Sequence, residues 1–493
     1  MDTEQGKGDN MAHRVFFCPV EDNPVSALPI LLELAHPTDL VVFLNQVSAD
    51  ENGSVSRLQR ALLSFGFGQR STARIHVQDW ENGPSLQQAV RPILEAVRDN
   101  AHEIYVLVDG TSNRILPIVL MQLDTRPKLK LVRNDQQKVG YNLWDESYGF
   151  ANNFHSYQRA NTDLVTLLRV AGYRLFQEGL PQPVRIWPSN EMAGTGSQQP
   201  RYGYDLAYTL AYHEGLDDLH NKSHGQAIRV PDEALERWDR SWRQFLDGRK
   251  SAQVYLCLYH ATKNAAGLEE ELCTPEEGVE RLQRASDALQ ELGEHCERRI
   301  AFAEVLKRLW KANATKPLGQ EFEQAVAHRL LDWLKGKGSA YAHLVQSVWK
   351  NVRVCQESYP QTVVAEWDVA VVLRNGYLLC IECKCGSVES LKDWLARRET
   401  LRHINGPGAS LIACTPLYTA FAHRSWFANQ VRNLKYLRET VRIEAIPFTL
   451  PQQPRQVRFC LDQDNQVYDT WQEDYFEEHL ERIFSARAVG RKV

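Results

Sequence analysis

Along the first 135 residues, short apolar runs alternate with longer segments whose apolar positions recur every three or four residues. The runs are VFFC at Val15–Cys18, LVVFLN at Leu40–Asn45, RIHV at Arg74–Val77, IYVLV at Ile104–Val108 and KLKLV at Lys128–Val132. They are rich in β-branched residues and read as strands. The segments between them, near Pro24–Ala35, Ser54–Phe65, Pro84–Arg98 and Arg114–Gln122, read as helices. Strands alternating with helices predict βαβ units and a parallel sheet covered on both faces. Ligands of such sheets bind beyond the carboxyl ends of the strands. Two loops fall there: Val20-Glu21-Asp22-Asn23 after the first strand, and Asp109-Gly110-Thr111-Ser112-Asn113 after the fourth.

The middle of the chain has a different rhythm. Asn142–Ser156 carries aromatics and Asn, and Pro181–Tyr204 is rich in Pro, Gly, Ser and Gln, the composition of a loop. Thr162–Glu178, Asp232–Leu246 and Pro275–Trp310 carry helical periodicity. The last has a complete start signal, with Thr274 as cap, Pro275 in the first turn and Glu277 closing a capping pattern. Residues 141–312 are thus expected to be a mainly helical connector.

From Pro317 the pattern changes again. Phe322–Lys335 is an amphipathic helix, and Glu366–Leu373 and Tyr377–Cys385 are strands joined at Arg374-Asn375-Gly376. Asn-Gly between two apolar strands is a strong hairpin signal. Leu391–Arg402 follows as a helix, Ala409–Cys414 as a strand and Gln430–Thr440 as another helix. This order, helix, hairpin, helix and strand, reads as a compact α/β domain.

Composition narrows the class. The 493 residues are 43% hydrophobic and 24% charged, an ordinary globular balance with room for about three domains. A net charge of −5, from 57 basic and 62 acidic side chains, leaves any nucleic-acid contact to a local basic surface. The ten cysteines are scattered, six of them between Cys355 and Cys460, and read as reduced thiols. The polar amino terminus lacks the apolar core of a signal peptide, and no run approaches membrane-spanning length, so a cytoplasmic location is expected.

The hairpin carries the chemistry. Side chains alternate across a strand, so Glu366 and Asp368 share one face, and so do Glu382 and Lys384. Placed side by side, Asp368, Glu382 and Lys384 put two carboxylates and an ammonium around one small volume. With the backbone carbonyl of Cys383, the two carboxylates suit Mg²⁺ or Mn²⁺, and the lysine suits a water held against a phosphodiester. Glu323, in the helix upstream, is placed to add another carboxylate. Lys392, Arg397, Arg398 and Arg402 form a basic helix suited to a phosphate backbone. Cys380-Ile-Glu-Cys383 with Cys385 has a zinc-like spacing, but Cys380 points away from the other two and a fourth ligand is missing. Arg398 and His403 match the R-x4-H spacing of HEPN ribonucleases, in a place where the compact α/β domain needs its helix.

These motifs resemble known families. Residues 317–415 resemble the PD-(D/E)xK nuclease superfamily, as G-x-x-F-E, then E-x-D, then E-C-K. Residues 14–132 resemble a CARF domain, the CRISPR-associated Rossmann fold, with VFFCPVEDNPVSALPILLELAHPTDLVVFLN as its first βαβ and VLVDGTSNRIL as its phosphate-cradling loop. That loop lacks the lysine of the T-G-G-T-K form common in the family. The pair resembles the ancillary nucleases of type III CRISPR systems. This implies an α/β architecture: a Rossmann-like CARF sensor over residues 12–140, the connector, and a restriction-endonuclease-like domain over 313–493. It further implies a homodimer that binds a cyclic oligoadenylate, with cyclic tetra-adenylate favoured. Asp368, Glu382 and Lys384 would then be catalytic, assisted by Glu323 and Glu366, on DNA and single-stranded RNA. Two other readings of the same residues are an unregulated restriction or repair nuclease and a sensor without catalysis.

Overall fold

Alternation in β1 (Arg14–Pro19) sends Val15 and Phe17 to one face of a sheet and Phe16 and Cys18 to the other, and all four are buried. Burial on both faces is the signature of a sheet covered by helices. The computed structural model describes residues 14–188 and 317–488, apart from short stretches that include 21–23, 109–115, 119–127, 145–152, 385–389 and 462–466. The first sheet contains β1, β2 (Leu40–Gln46), β3 (Thr72–Val77), β4 (Glu103–Leu107), β5 (Lys128–Asn134), β6 (Gly140–Trp144) and β7 (Phe154–Ser156), in the order β3-β2-β1-β4-β5-β6-β7. Helices α1 (Ala27–Leu34), α2 (Ser54–Ser64) and α3 (Gly83–Val97) connect its first four strands.

The first five strands are parallel, as the periodicity predicts. The sheet as a whole is mixed, because β6 and β7 add to it antiparallel. The cause is local: Asp135 Oδ1 accepts from the backbone N–H groups of Gln137 (2.8 Å) and Lys138 (2.9 Å), an Asx turn that reverses the chain after β5. Helix α4 (Leu164–Ala171) is much shorter than the expected Thr162–Glu178. Asp163 caps its start, accepting from Thr166 N–H at 2.7 Å, and Gly172 ends it in the left-handed region (φ 87°). The chain then forms β8 (Tyr173–Leu175) and β9 (Val184–Trp187). Where the pattern predicts mainly helix, residues 141–188 therefore hold short strands too, with too few alternations each to register as a period of two. The expected helices Asp232–Leu246 and Pro275–Trp310 lie outside the described residues, as does most of Arg114–Gln122.

Strands β8 and β9 belong to a second sheet. Helix α5 (Pro317–Lys335) precedes β10 (Val345–Gln356), β11 (Val363–Leu373) and β12 (Leu378–Cys383); α6 (Leu391–Asn405) then leads to β13 (Ser410–Pro416), and α7 (Ser425–Lys435) to β14 (Glu444–Phe448). The order is β14-β13-β12-β11-β10-β8, with β9 also on β10. A two-stranded ribbon, β15 (Gln456–Cys460) and β16 (Tyr468–Gln472), and helix α8 (Phe476–Arg487) complete the described chain. One continuous apolar core runs from Phe16, Leu28 and Leu31 under the first sheet to Phe322, Val369 and Trp394 under the second. No helix of the described residues is long and apolar enough to cross a membrane.

Candidate active site on the second sheet

The turn Arg374-Asn375-Gly376 sets the register of β11 and β12. Leu373 N–H donates to Tyr377 C=O and Gly376 N–H to Leu373 C=O, each at 2.9 Å, with Gly376 at φ +82°, where only glycine is unstrained. The pairing that follows sets Val369 opposite Ile381, and one step further it brings Asp368 level with Glu382. Asp368 Oδ2 accepts the backbone N–H of Cys383 at 2.6 Å, which pins the carboxylate across the two strands. Glu382 is buried, and its Oε2 lies 3.1 Å from Arg397 Nη1 and 3.7 Å from Lys384 Nζ. Lys384 is held in turn by its N–H, which donates to Cys414 C=O on β13 at 2.8 Å.

Two further acids join from outside the hairpin pair. Glu323, half-buried on α5, feels Asp368, Glu366 and Lys384. Burial and the charges of Asp368 and Glu366 push its carboxyl up to about 8, against the pull of Lys384 and Lys350. Burial also pushes Asp368 up, although the Cys383 N–H and the Lys384 charge oppose it. Glu366 itself is exposed. The structure thus brings together Glu323, Glu366, Asp368, Glu382 and Lys384. Acids crowded until one holds its proton at neutral pH are a donor set of hard oxygens that a divalent cation relieves.

The basic helix behaves differently from expectation. Arg397 points inward to Glu382, so it neutralises a buried acid instead of presenting a free charge to phosphate. Arg398 and Arg402 both pair with Glu399, at 3.3 Å each, and Lys392 is exposed near the start of α6. Sequence reasoning missed Lys350, because β10 was not recognised as a strand. The alternation V-x-S-V-W-K-N-V-R-V was the available signal.

On the first sheet, β1 and β4 are hydrogen-bonded neighbours, at the point where the strand order turns from decreasing to increasing number. In open α/β sheets ligands bind past the carboxyl ends of strands where the order reverses, and in the sequence the two predicted ligand loops follow β1 and β4. Glu21–Asn23 and Asp109–Asn113 lie outside the described residues. Val20 is described, and here the structure departs from the prediction: its side chain is in the core and its N–H donates to Leu44 C=O at 2.8 Å.

The fold has a solved counterpart. Protein VC1899 from Vibrio cholerae, known from a crystal structure, aligns at a TM-score of 0.51 and 15% identity, over 97% of this chain and 100% of that one. The structure of Can2 from Sulfobacillus thermosulfidooxidans in complex with cyclic tetra-adenylate aligns at a TM-score of 0.48 and 12% identity, over 96% of this chain and 97% of that one. No protein-family model matches the chain, and no curated protein matches it.

A second set of ligand-type side chains was not anticipated. Glu473, Asp474 and His479 have their donor atoms within 4.8 Å of one another, close enough to share a cation. Arginines already serve them: Arg438 reaches Glu473 at 2.7 Å, and Arg482 reaches Asp474 at 3.2 Å and His479 Nδ1 at 2.6 Å. Burial pushes the Glu473 carboxyl up, but bonds from His479 and Arg438 outweigh it and hold it at about 2. A depressed carboxylate contributes stability above its unfolded value, near 4.5, and loses it as the pH falls towards 2. Glu473→Gln is accordingly expected to lower the unfolding midpoint by about 2–4 °C at pH 7 and to make the acid limb shallower. Thermal unfolding scans from pH 7 down to pH 3 measure this, and unchanged curves would mean that the arginine brace contributes nothing.

Proposed function

We propose that the chain is a metal-dependent endonuclease whose nuclease domain, residues 313–493, is switched on by a cyclic oligoadenylate held by a CARF-type domain over residues 12–140. The observation that carries this reading is the bond from Cys383 N–H to Asp368 Oδ2, which locks Asp368 beside Glu382 and Lys384. The match of this trio to the E-x-D and E-C-K motifs adds support, as does the adjacency of β1 and β4 where the strand order of the first sheet reverses.

Asp368 and Glu382, with the carbonyl of Cys383, would hold Mg²⁺ or Mn²⁺, which supplies Lewis acidity and a more acidic water. Lys384 orients the attacking water and offsets negative charge building on the phosphate. Glu323, which carries a proton at neutral pH in the metal-free protein, has that proton to give up when the site fills. Arg397 keeps Glu382 in place until then. Backbone N–H groups of Glu21–Asn23 and Asp109–Asn113 hold the phosphates of the cyclic oligoadenylate, cyclic tetra-adenylate being the favoured ring. The two-fold symmetry of such a ring suits a homodimer paired through the first domain. Substrates are DNA, which is nicked, and single-stranded RNA, with Lys392, Arg398 and Arg402 near the backbone.

The test is cleavage of supercoiled plasmid and of labelled single-stranded RNA with Mn²⁺, adding each cyclic oligoadenylate in turn. Cleavage that depends on one ring size is the expected result. Cleavage indifferent to every ring would leave an unregulated nuclease, and ligand binding without cleavage would leave a sensor that acts through a partner.

A further inference from the structure

The turn of the candidate catalytic hairpin is not at the surface. Asn375 is fully buried, and residues of the first domain bond to it. Asn134, at the end of β5, is itself buried, and its Nδ2 donates to Asn375 C=O at 3.1 Å and to Ser26 C=O at 3.4 Å. Its Oδ1 accepts from Tyr157 OH at 3.2 Å, so the amide is held at both ends. The contact is returned, because Asn375 Nδ2 donates to Lys138 C=O at 3.1 Å. Close by, Val139 N–H donates to Arg487 C=O on α8 at 2.8 Å.

Ser26 immediately precedes α1, and α1 is the first helix after the carboxyl end of β1. The same helix touches the hairpin directly: a Cβ placed on Gly376 would come within 2.7 Å of Pro29 Cγ. Near the end of α1, Glu33 accepts the backbone N–H groups of Gln158 (3.0 Å), Arg159 (2.6 Å) and Ala160 (2.8 Å). Helix α1 is therefore tied at its start, middle and end, and one buried amide spans from its first turn to the hairpin that carries Asp368, Glu382 and Lys384. Inside the second domain, Asn405 continues the tie, donating to Gly376 C=O at 3.0 Å and accepting from Leu378 N–H at 2.7 Å.

We propose that Asn134 is a positioning residue that transmits the ligand state of the first domain to the hairpin through α1 and the Asn375-Gly376 turn. The proposal rests on the function argued above. A ligand bound at the carboxyl end of β1 acts next to the start of α1, and packed interfaces respond as discrete shifts rather than by gradual deformation. The hairpin has no slack at Gly376, so a shift of α1 reaches the strands that set the separation of Asp368 and Glu382.

The experiment uses the full chain with cyclic tetra-adenylate, Mn²⁺ and plasmid, and compares wild type, Asn134→Ala and Tyr157→Phe, which frees one end of the Asn134 amide. Both variants are expected to keep the ligand-free cleavage rate and the affinity for cyclic tetra-adenylate, while the ratio of ligand-stimulated to ligand-free rate falls about tenfold or more. Hydrogen exchange of the wild type serves as a second measurement that needs no variant to fold: saturating ligand should change the protection of the Gly376 and Leu378 amides. Wild-type stimulation in folded variants, or unchanged protection at those amides in a ligand-stimulated wild type, overturns the coupling and leaves the proposed function standing. A wild type that neither binds the ring nor changes its rate overturns both.

Discussion

Glu382→Gln and Asp368→Asn should each lower Mn²⁺-dependent cleavage on the order of 10³-fold while the unfolding midpoint stays within a few degrees of wild type. The reason for choosing amides is geometric. Asn at position 368 still offers an oxygen to the Cys383 N–H, and Gln at position 382 still offers one to Arg397, so the hairpin keeps its bonds. What disappears is the negative charge that a divalent cation requires. Lys384→Ala probes the third member, whose side chain is about a quarter exposed to solvent. Chelation by EDTA should abolish wild-type cleavage and leave the secondary structure unchanged by circular dichroism. Full activity in Asp368→Asn would reduce the hairpin to a scaffold.

Binding of Mn²⁺ to the metal-free protein at pH 7 should release about one proton per chain. The source is Glu323, whose carboxyl burial and the neighbouring Asp368 and Glu366 push up to about 8. Titration calorimetry in two buffers of different ionisation enthalpy counts that proton, and Glu323→Gln should eliminate it. The same shift has a stability consequence of definite sign. Between 4.5, the ordinary value, and 8 the folded state keeps a proton that the unfolded chain has lost, so this contribution is complete below 4.5 and vanishes as the pH rises through 8. Glu323→Gln should therefore stabilise the metal-free protein at pH 8.5 and make little difference at pH 4.5. The gain should be on the order of 1 kcal/mol, because solvent screens a half-buried group. No proton release, together with equal stability at both pH values, would place Glu323 away from the metal.

The site was legible where its signal is local. Glu366-x-Asp368 and Glu382-x-Lys384 sit on strands, and strand geometry alone assigns each pair to a face. The Asn375-Gly376 turn could be read because left-handed backbone selects glycine. Arg397 shows the limit. Its place in a basic run predicted a phosphate contact, whereas the meeting of α6 with β12 gives it Glu382. Lys350 was missed with its strand, and the ends of α4 were misplaced because Asp163 and Gly172 act only on the residues beside them. Val20 reads as part of a loop, yet the packing of β1 against its neighbours draws it into the core.

Periodicity, caps and turn residues are properties of a few successive positions. By themselves they determined the βαβ order of the first domain, the helix–hairpin–helix–strand order of the second and the acids on the hairpin faces. Which elements meet is decided by burial shared between distant segments, and no short window contains both partners. Asn134 and Asn375 are 241 residues apart, and each alone reads as an ordinary polar residue at a strand end or a turn. Only the tertiary structure makes them one buried contact, because an amide and a carbonyl removed from water must find each other.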